Sequence, residues 1–277
     1  MPTISAVLPT NEHDDYARRE ITAIVDPAVR ALVEADVEVP EPVVTTLEHL
    51  SRTITALNSS VDPQGARSAL AHHIATGHTP TQKDYQAVTI ATEARTTLAA
   101  AVVTGYELAH QVLREHRDTI IQGLAATMAN PAFDALAELA HKVTARDTAA
   151  TLLRSNRDSD ARALANAAAH LEAIRRAVAV RQTLHRKGRL DADVFGSAGL
   201  WNYDPHANHD TRRSLPMDGS SLEDWLATIR EGTHVPWFPT YREAQAYDVE
   251  VRGIHEGEAQ AAEQRRRESM RTIRAAS

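Results

Sequence analysis

Cysteine is absent from all 277 residues, so neither a disulfide nor a thiolate metal ligand contributes here, and thiols say nothing of the redox compartment. Aromatic residues are scarce at 4%, which argues against a large enzyme core with deep pockets. No apolar run approaches the roughly 18 residues of a membrane span, so no membrane partner is expected. Met1 to Leu8 lacks the basic region and apolar length of a signal peptide, which points to a soluble protein made in the cytoplasm. Glycine signatures are missing too: no phosphate loop, no dinucleotide fingerprint and no Gly-x-Ser-x-Gly elbow occur. A formal net charge of -7 disfavours nucleic-acid binding by the molecule as a whole.

What remains is rich in alanine and in helical periodicity. Apolar residues make up 43% of the chain, enough for a core packed closely through small side chains. Residues 1–15 hold Pro2, Pro9 and an acidic cluster at Glu12, Asp14 and Asp15, and read as an extended arm. A first helix passes through Tyr16, Ile21 and Ile24, with a break or restart expected at Asp26-Pro27 and an end at Pro40 and Pro42. Val43, Leu47, Leu50, Ile54 and Leu57 step by 4, 3, 4 and 3, the spacing of an amphipathic helix with a coiled-coil-like seam. Asp62-Pro63 opens a short helix that Gly77 closes.

From Thr81 to Asn130 no proline occurs, and Tyr85, Val88, Leu98, Val102, Leu108, Val112, Ile120, Leu124 and Met128 keep to one broad face. A continuous helix of about 45 residues would span about 70 Å at about 1.5 Å per residue. Gly105 and Gly123 are its weak points, each costing about 1 kcal/mol relative to alanine. Asn130-Pro131 is a helix-start pair, and the helix it opens carries Phe133, Leu136, Leu139, Val143 and Leu153 before breaking at 155–159. A further helix through Leu164, Ala168, Leu171, Ile174 and Val178 ends on His185, Arg186 and Lys187, with Gly188 just beyond.

Eight of the twelve aromatic residues then fall between Phe195 and Tyr247. Glycines and prolines make this stretch irregular as far as Ser220, where Ser220-Ser221-Leu222-Glu223 reads as a capping box for a short helix through Trp225, Leu226 and Ile229 to Gly232. Pro236-Trp237-Phe238-Pro239 reads as a rigid turn, and Thr240 with Glu243 as another capped start. Val249-Glu250-Val251 is a short strand or an interruption before a last, charged helix.

Three groups of residues carry candidate function. Trp201, Trp225, Trp237 and Phe238 suit the anchoring of a protein partner, since aromatics dominate interface energetics. Asp204, His206, His209 and Asp210 combine imidazole and carboxylate ligands of the kind zinc takes, although no spaced partner motif accompanies them and turn-forming roles are the ordinary explanation. Arg265, Arg266, Arg267, Arg271 and Arg274 lie in a tail with five Arg and one Glu from Gln264 to Ser277, able to contact phosphates or to form a solvated helix face.

An Ala/Thr/Arg/Asp-rich helical chain without cysteine, with an extended N-terminal arm and a charged C-terminal helix, resembles the virion and head-assembly proteins of tailed phages that infect actinobacteria. More locally, Trp201, Asp210-Thr211-Arg212-Arg213 and Met217-Asp218-Gly219 are similar to the Trp, Asp-Arg and Asp-Gly landmarks of phage minor head proteins over about 20 residues. Leu215-Pro216 stands where that family has a histidine, and its terminal cysteine pair is missing. Any enzymatic association of the family is therefore not carried over.

The expected fold is all-α: an elongated bundle or hairpin of long antiparallel helices over 16–188, an irregular aromatic-rich segment over 189–247 and a charged C-terminal helix over 248–277. The expected function is structural and non-enzymatic, without cofactor, as a homo-oligomer or part of a larger assembly, and in the virion if the resemblance holds. The alternatives are a metal-dependent hydrolase working through the 204–210 cluster and a nucleic-acid-binding protein working through the arginine tail.

Overall fold

The computed structural model describes residues 19–185, 200–202, 215–216, 219–232 and 234–275. The protein is all-α, with its helices packed as in a bundle. Two compact units divide it, one of Met1–Ile120 with Val180–Leu190 and the other of Ile121–Ala179 with Asp191–Ser277. The N-terminal arm expected over 1–15 lies outside the described residues.

In the first unit, helix α1 (Arg19–Glu34) runs through Pro27 without the expected break. An interior proline forfeits one hydrogen bond and crowds the carbonyl four residues back. Here Val25, Val29 and Leu32 are fully buried, and burial of that face outweighs the defect. Helix α2 (Glu41–Asn58) starts at Pro40 and Pro42, which are well placed where the first N–H groups have no partner in any case. All five residues of its 4-3 seam, Val43, Leu47, Leu50, Ile54 and Leu57, are buried. Helix α3 (Pro63–Ala75) is capped by the Asp62 carboxylate, which accepts from the Gln64 and Gly65 amides. Gly77, at φ +83°, turns the chain beyond the end of α3.

Helix α4 (Gln82–Leu124) packs on α1 and α2. The Tyr106 hydroxyl donates to Asp26 Oδ1 at 3.1 Å, and Leu50 Cδ1 lies only 2.9 Å from where a Cβ on Gly105 would stand. Gly105 is therefore a point of close approach between the two helices, and its missing side chain is what admits Leu50. Asp62, at the start of α3, faces Arg95 of α4 at 3.9 Å. With residues 76–81 as the connection, α3 and the first turns of α4 form an antiparallel hairpin.

Asn130-Pro131 does not begin a separate helix. α4, a π turn (Ala125–Ala129) and α5 (Asn130–Lys142) follow one another as 61 uninterrupted helical residues. The Asn130 N–H bonds to the Ala125 carbonyl five residues back, and this wider turn, just ahead of the ring, relieves the crowding that Pro131 would cause in a regular α-helix.

In the second unit, the helix expected to continue from 130 to 155 is split at 143–148, although neither glycine nor proline marks the place. Asp147 Oδ2 accepts from the Thr144 N–H at 2.7 Å and from its hydroxyl at 3.0 Å, and Thr148 forms a capping box with Thr151 to start α6 (Ala149–Arg154). Those bonds, the backbone one first, hold the Asp147 carboxyl below its ordinary value. Asn156, at φ +56°, makes the turn into α7 (Asp158–His185). On α7 it is Ala167, not Ala168, that is buried alongside Leu171, Ile174 and Val178.

A two-residue strand β1 (Trp201–Asn202) pairs antiparallel with β2 (Val235–Pro236), Trp201 opposite Pro236 and Asn202 opposite Val235. Between them in sequence lies α8 (Leu222–Glu231), which packs on α5. Its capping box is Ser221 with Asp224, one residue beyond the expected Ser220 and Glu223, and Gly232 closes it at φ +68°. Helix α9 (Tyr241–Ala275) starts on the expected Thr240–Glu243 box and passes through Val249-Glu250-Val251 without strand or break.

Candidate functional site

The four aromatic residues expected to anchor a partner have different surroundings. Trp225 of α8 is fully buried, stacked on Phe133 of α5 with centroids 6.0 Å apart and planes 20° apart. Trp201 of β1, also fully buried, lies against the other side of the assembly at 4.9 Å from Trp225. Its indole Nε1–H donates to the Pro216 carbonyl at 2.7 Å, which satisfies the one polar group of the ring away from water. Phe238 is buried as well. These three side chains have little or no surface to offer another molecule, and their place is the core of the second unit. Burial of an aromatic contributes the same area to the chain's own core as it would to an interface, and sequence alone does not distinguish the two. Trp237 alone of the four is only partly buried, edge-on to Tyr247 at 5.3 Å, while its backbone N–H donates to the Leu200 carbonyl at 2.9 Å.

Arginines that bear on no expected site hold this core together. Arg230 of α8 donates through Nε to the Ala140 carbonyl at 3.1 Å and through a terminal nitrogen to the Val143 carbonyl at 2.8 Å. Arg157 donates to the Lys142 carbonyl and to Asp160 Oδ2. Two guanidinium groups thus bracket the C-terminal end of α5, where exposed carbonyls and the helix dipole both favour a cation. Arg175 of α7 reaches the Ser220 carbonyl at 3.2 Å, just ahead of α8. Residues 140 and 230 are 90 apart, so no local pattern announces this pairing.

The Asp204, His206, His209 and Asp210 cluster lies outside the described residues. Among those described, no group of three or more His, Asp or Glu is placed to hold a metal ion, and no helix is long and apolar enough to cross a membrane. Of the arginine tail, Arg265, Arg266 and Arg267 are exposed on α9, and Arg267 Nε is 3.0 Å from Glu263 Oε1 one turn back. Arg271 and Arg274 fall on the same helix.

A further lightly covered surface, at which the sequence marks no site, belongs to the first unit. Helix α3 has no buried residue at all. Ile74 on α3 is 49% exposed, and Tyr85 and Ile90 on α4 are 52% and 64% exposed. Tyr85, Gln86, Thr89 and Ile90 line an open groove along α4, and Pro63, Arg67, Thr92, Arg95, Thr96 and Ala99 line a second where α3 and α4 run side by side. The hydroxyls of Thr89, Thr92 and Thr96 each donate to the carbonyl four residues back, at 3.1, 2.8 and 2.8 Å. Their donors are thereby satisfied within the helix, and this threonine-rich face is less polar than its composition reads.

Comparison with protein families, with curated proteins and with solved structures returns no match for this chain.

Proposed function

We propose that the protein is a non-enzymatic structural subunit of a larger protein assembly, and that the head of a tailed phage is that assembly. The observation that carries the first part is α3: thirteen residues of helix without one buried side chain. A helix that short is marginal in water on its own and takes its stability from packing one face. A lightly covered hairpin with exposed Ile74, Tyr85 and Ile90 is the kind of surface a subunit leaves for its neighbour. The second part rests on the local likeness of Trp201, Asp210 to Arg213 and Met217 to Gly219 to phage minor head proteins. Sedimentation velocity of the full chain tests the reading: species heavier than one 30.3 kDa chain support it, and a monomer at every concentration overturns it.

A further inference from the structure

We infer that the α3–α4 hairpin with its Asp62 cap, residues 61–101, is a homotypic interface whose occupant is the same hairpin of a second copy of this chain. The inference rests on the assembly reading above and names the partner for its lightly covered α3–α4 surface.

Charge balance is the first argument for that occupant. The chain carries a net -7, yet residues 61–101 balance: Arg67, Lys83 and Arg95 against Asp62, Asp84 and Glu93. Asp62 and Arg95 already face each other at 3.9 Å, and the Asp84 carboxylate is occupied by the Thr81 amide and hydroxyl at 2.7 and 2.8 Å. A strongly basic or acidic partner therefore gains little from this face. A second copy meets it without the repulsion that two surfaces sharing the excess negative charge would suffer.

Geometry agrees with this. A two-fold axis sets one patch against itself, so a suitable patch must be self-complementary. Arg67 stands on α3 and Glu93 on α4, opposite signs on the two arms, which a two-fold axis converts into two reciprocal pairs. Two antiparallel hairpins placed face to face make four helices around a shared apolar seam of Ile74, Tyr85 and Ile90. One face of the hairpin is about 20 residues, at the lower end of the roughly 20–30 a side of a standard stable interface.

The test uses the full chain and three arginine substitutions at exposed positions, with helical content by circular dichroism as the check on folding. Ile90→Arg and Ile74→Arg fall on the two arms of the hairpin; Val249→Arg, at an equally exposed apolar residue of α9, is the control. The expected result in sedimentation is a dimer for the unmodified chain, weakened roughly tenfold or more by either hairpin substitution and unchanged by Val249→Arg. Self-association that survives both hairpin substitutions overturns the inference while leaving the assembly reading in place. An unmodified chain that stays monomeric overturns both. Loss of association in Val249→Arg alone assigns the interface to α9 and likewise overturns the inference.

Discussion

Trp225 has no exposed surface and lies between the rings of Phe133 and Trp201, so truncating it empties the centre of the second unit. We expect Trp225→Ala to cost about 3–5 kcal/mol in chemical denaturation, the range for removing a buried aromatic. Trp237→Ala, which removes a partly buried ring in edge contact with Tyr247, should cost about 1 kcal/mol. Equal losses at the two positions would contradict this division of core from surface. Gly105 is the opposite case, a residue whose lack of a side chain is structural. A Cβ there would stand 2.9 Å from Leu50 Cδ1, the far end of a side chain, so alanine is tolerable if Leu50 yields. Valine adds two further methyl groups against a buried residue, and Gly105→Val should lower stability by about 1–3 kcal/mol in a thermal melt. Sequence reading marks Gly105 as a helix weakness, because propensity is a local property and the approach of Leu50, 55 residues earlier, is not.

Elements were legible where a helix carries its own signals. The seam from Val43 to Leu57, the Asp62 cap, Gly77, the Thr240–Glu243 box and Gly232 all act where their residue types place them. Three boundaries were not legible, each for a physical reason. Pro27 and Pro131 look like breaks, yet burial of the α1 face overrides one and a π turn absorbs the other. The turn at 143–148 is built from Thr144, Asp147 and Thr148 alone, and its guanidinium supports come from Arg157 and Arg230. The α8 box offers a direct check on a one-residue shift. Ser221→Ala or Asp224→Ala should each cost about 1 kcal/mol, whereas Glu223→Ala, which takes no part in the cap, should stay within about 0.5 kcal/mol. The cap of α4 adds a pH dependence. The Thr81 amide and then its hydroxyl hold the Asp84 carboxyl below its ordinary value of 3.8. A carboxyl lowered by folding stabilises the folded state above its unfolded value and loses that contribution as pH falls through the folded one. A carboxyl NMR titration should therefore place Asp84 below 3.8, with fraying of the first turn of α4 only at that lower pH and no such transition in Asp84→Asn.

At the scale of the whole molecule, the all-α class was readable from alanine content, helical spacing and scarce aromatics, because these are summed properties that survive local errors. The division into two compact units was not, since two of its boundaries, 120/121 and 179/180, fall inside helices, where no break signal marks them. Helix α3 reads as an ordinary alanine-rich helix in the sequence, and only its place in the fold reveals that none of its residues is buried. The proposed function rests on that exposure: the hairpin is lightly covered and charge-balanced, and the proposal gives it a second copy as its cover. Sedimentation velocity of the full chain over a wide concentration range tests this most directly. A structural subunit should move from one 30.3 kDa chain toward a dimer or larger species as concentration rises, and a single monomeric boundary at every concentration would contradict it.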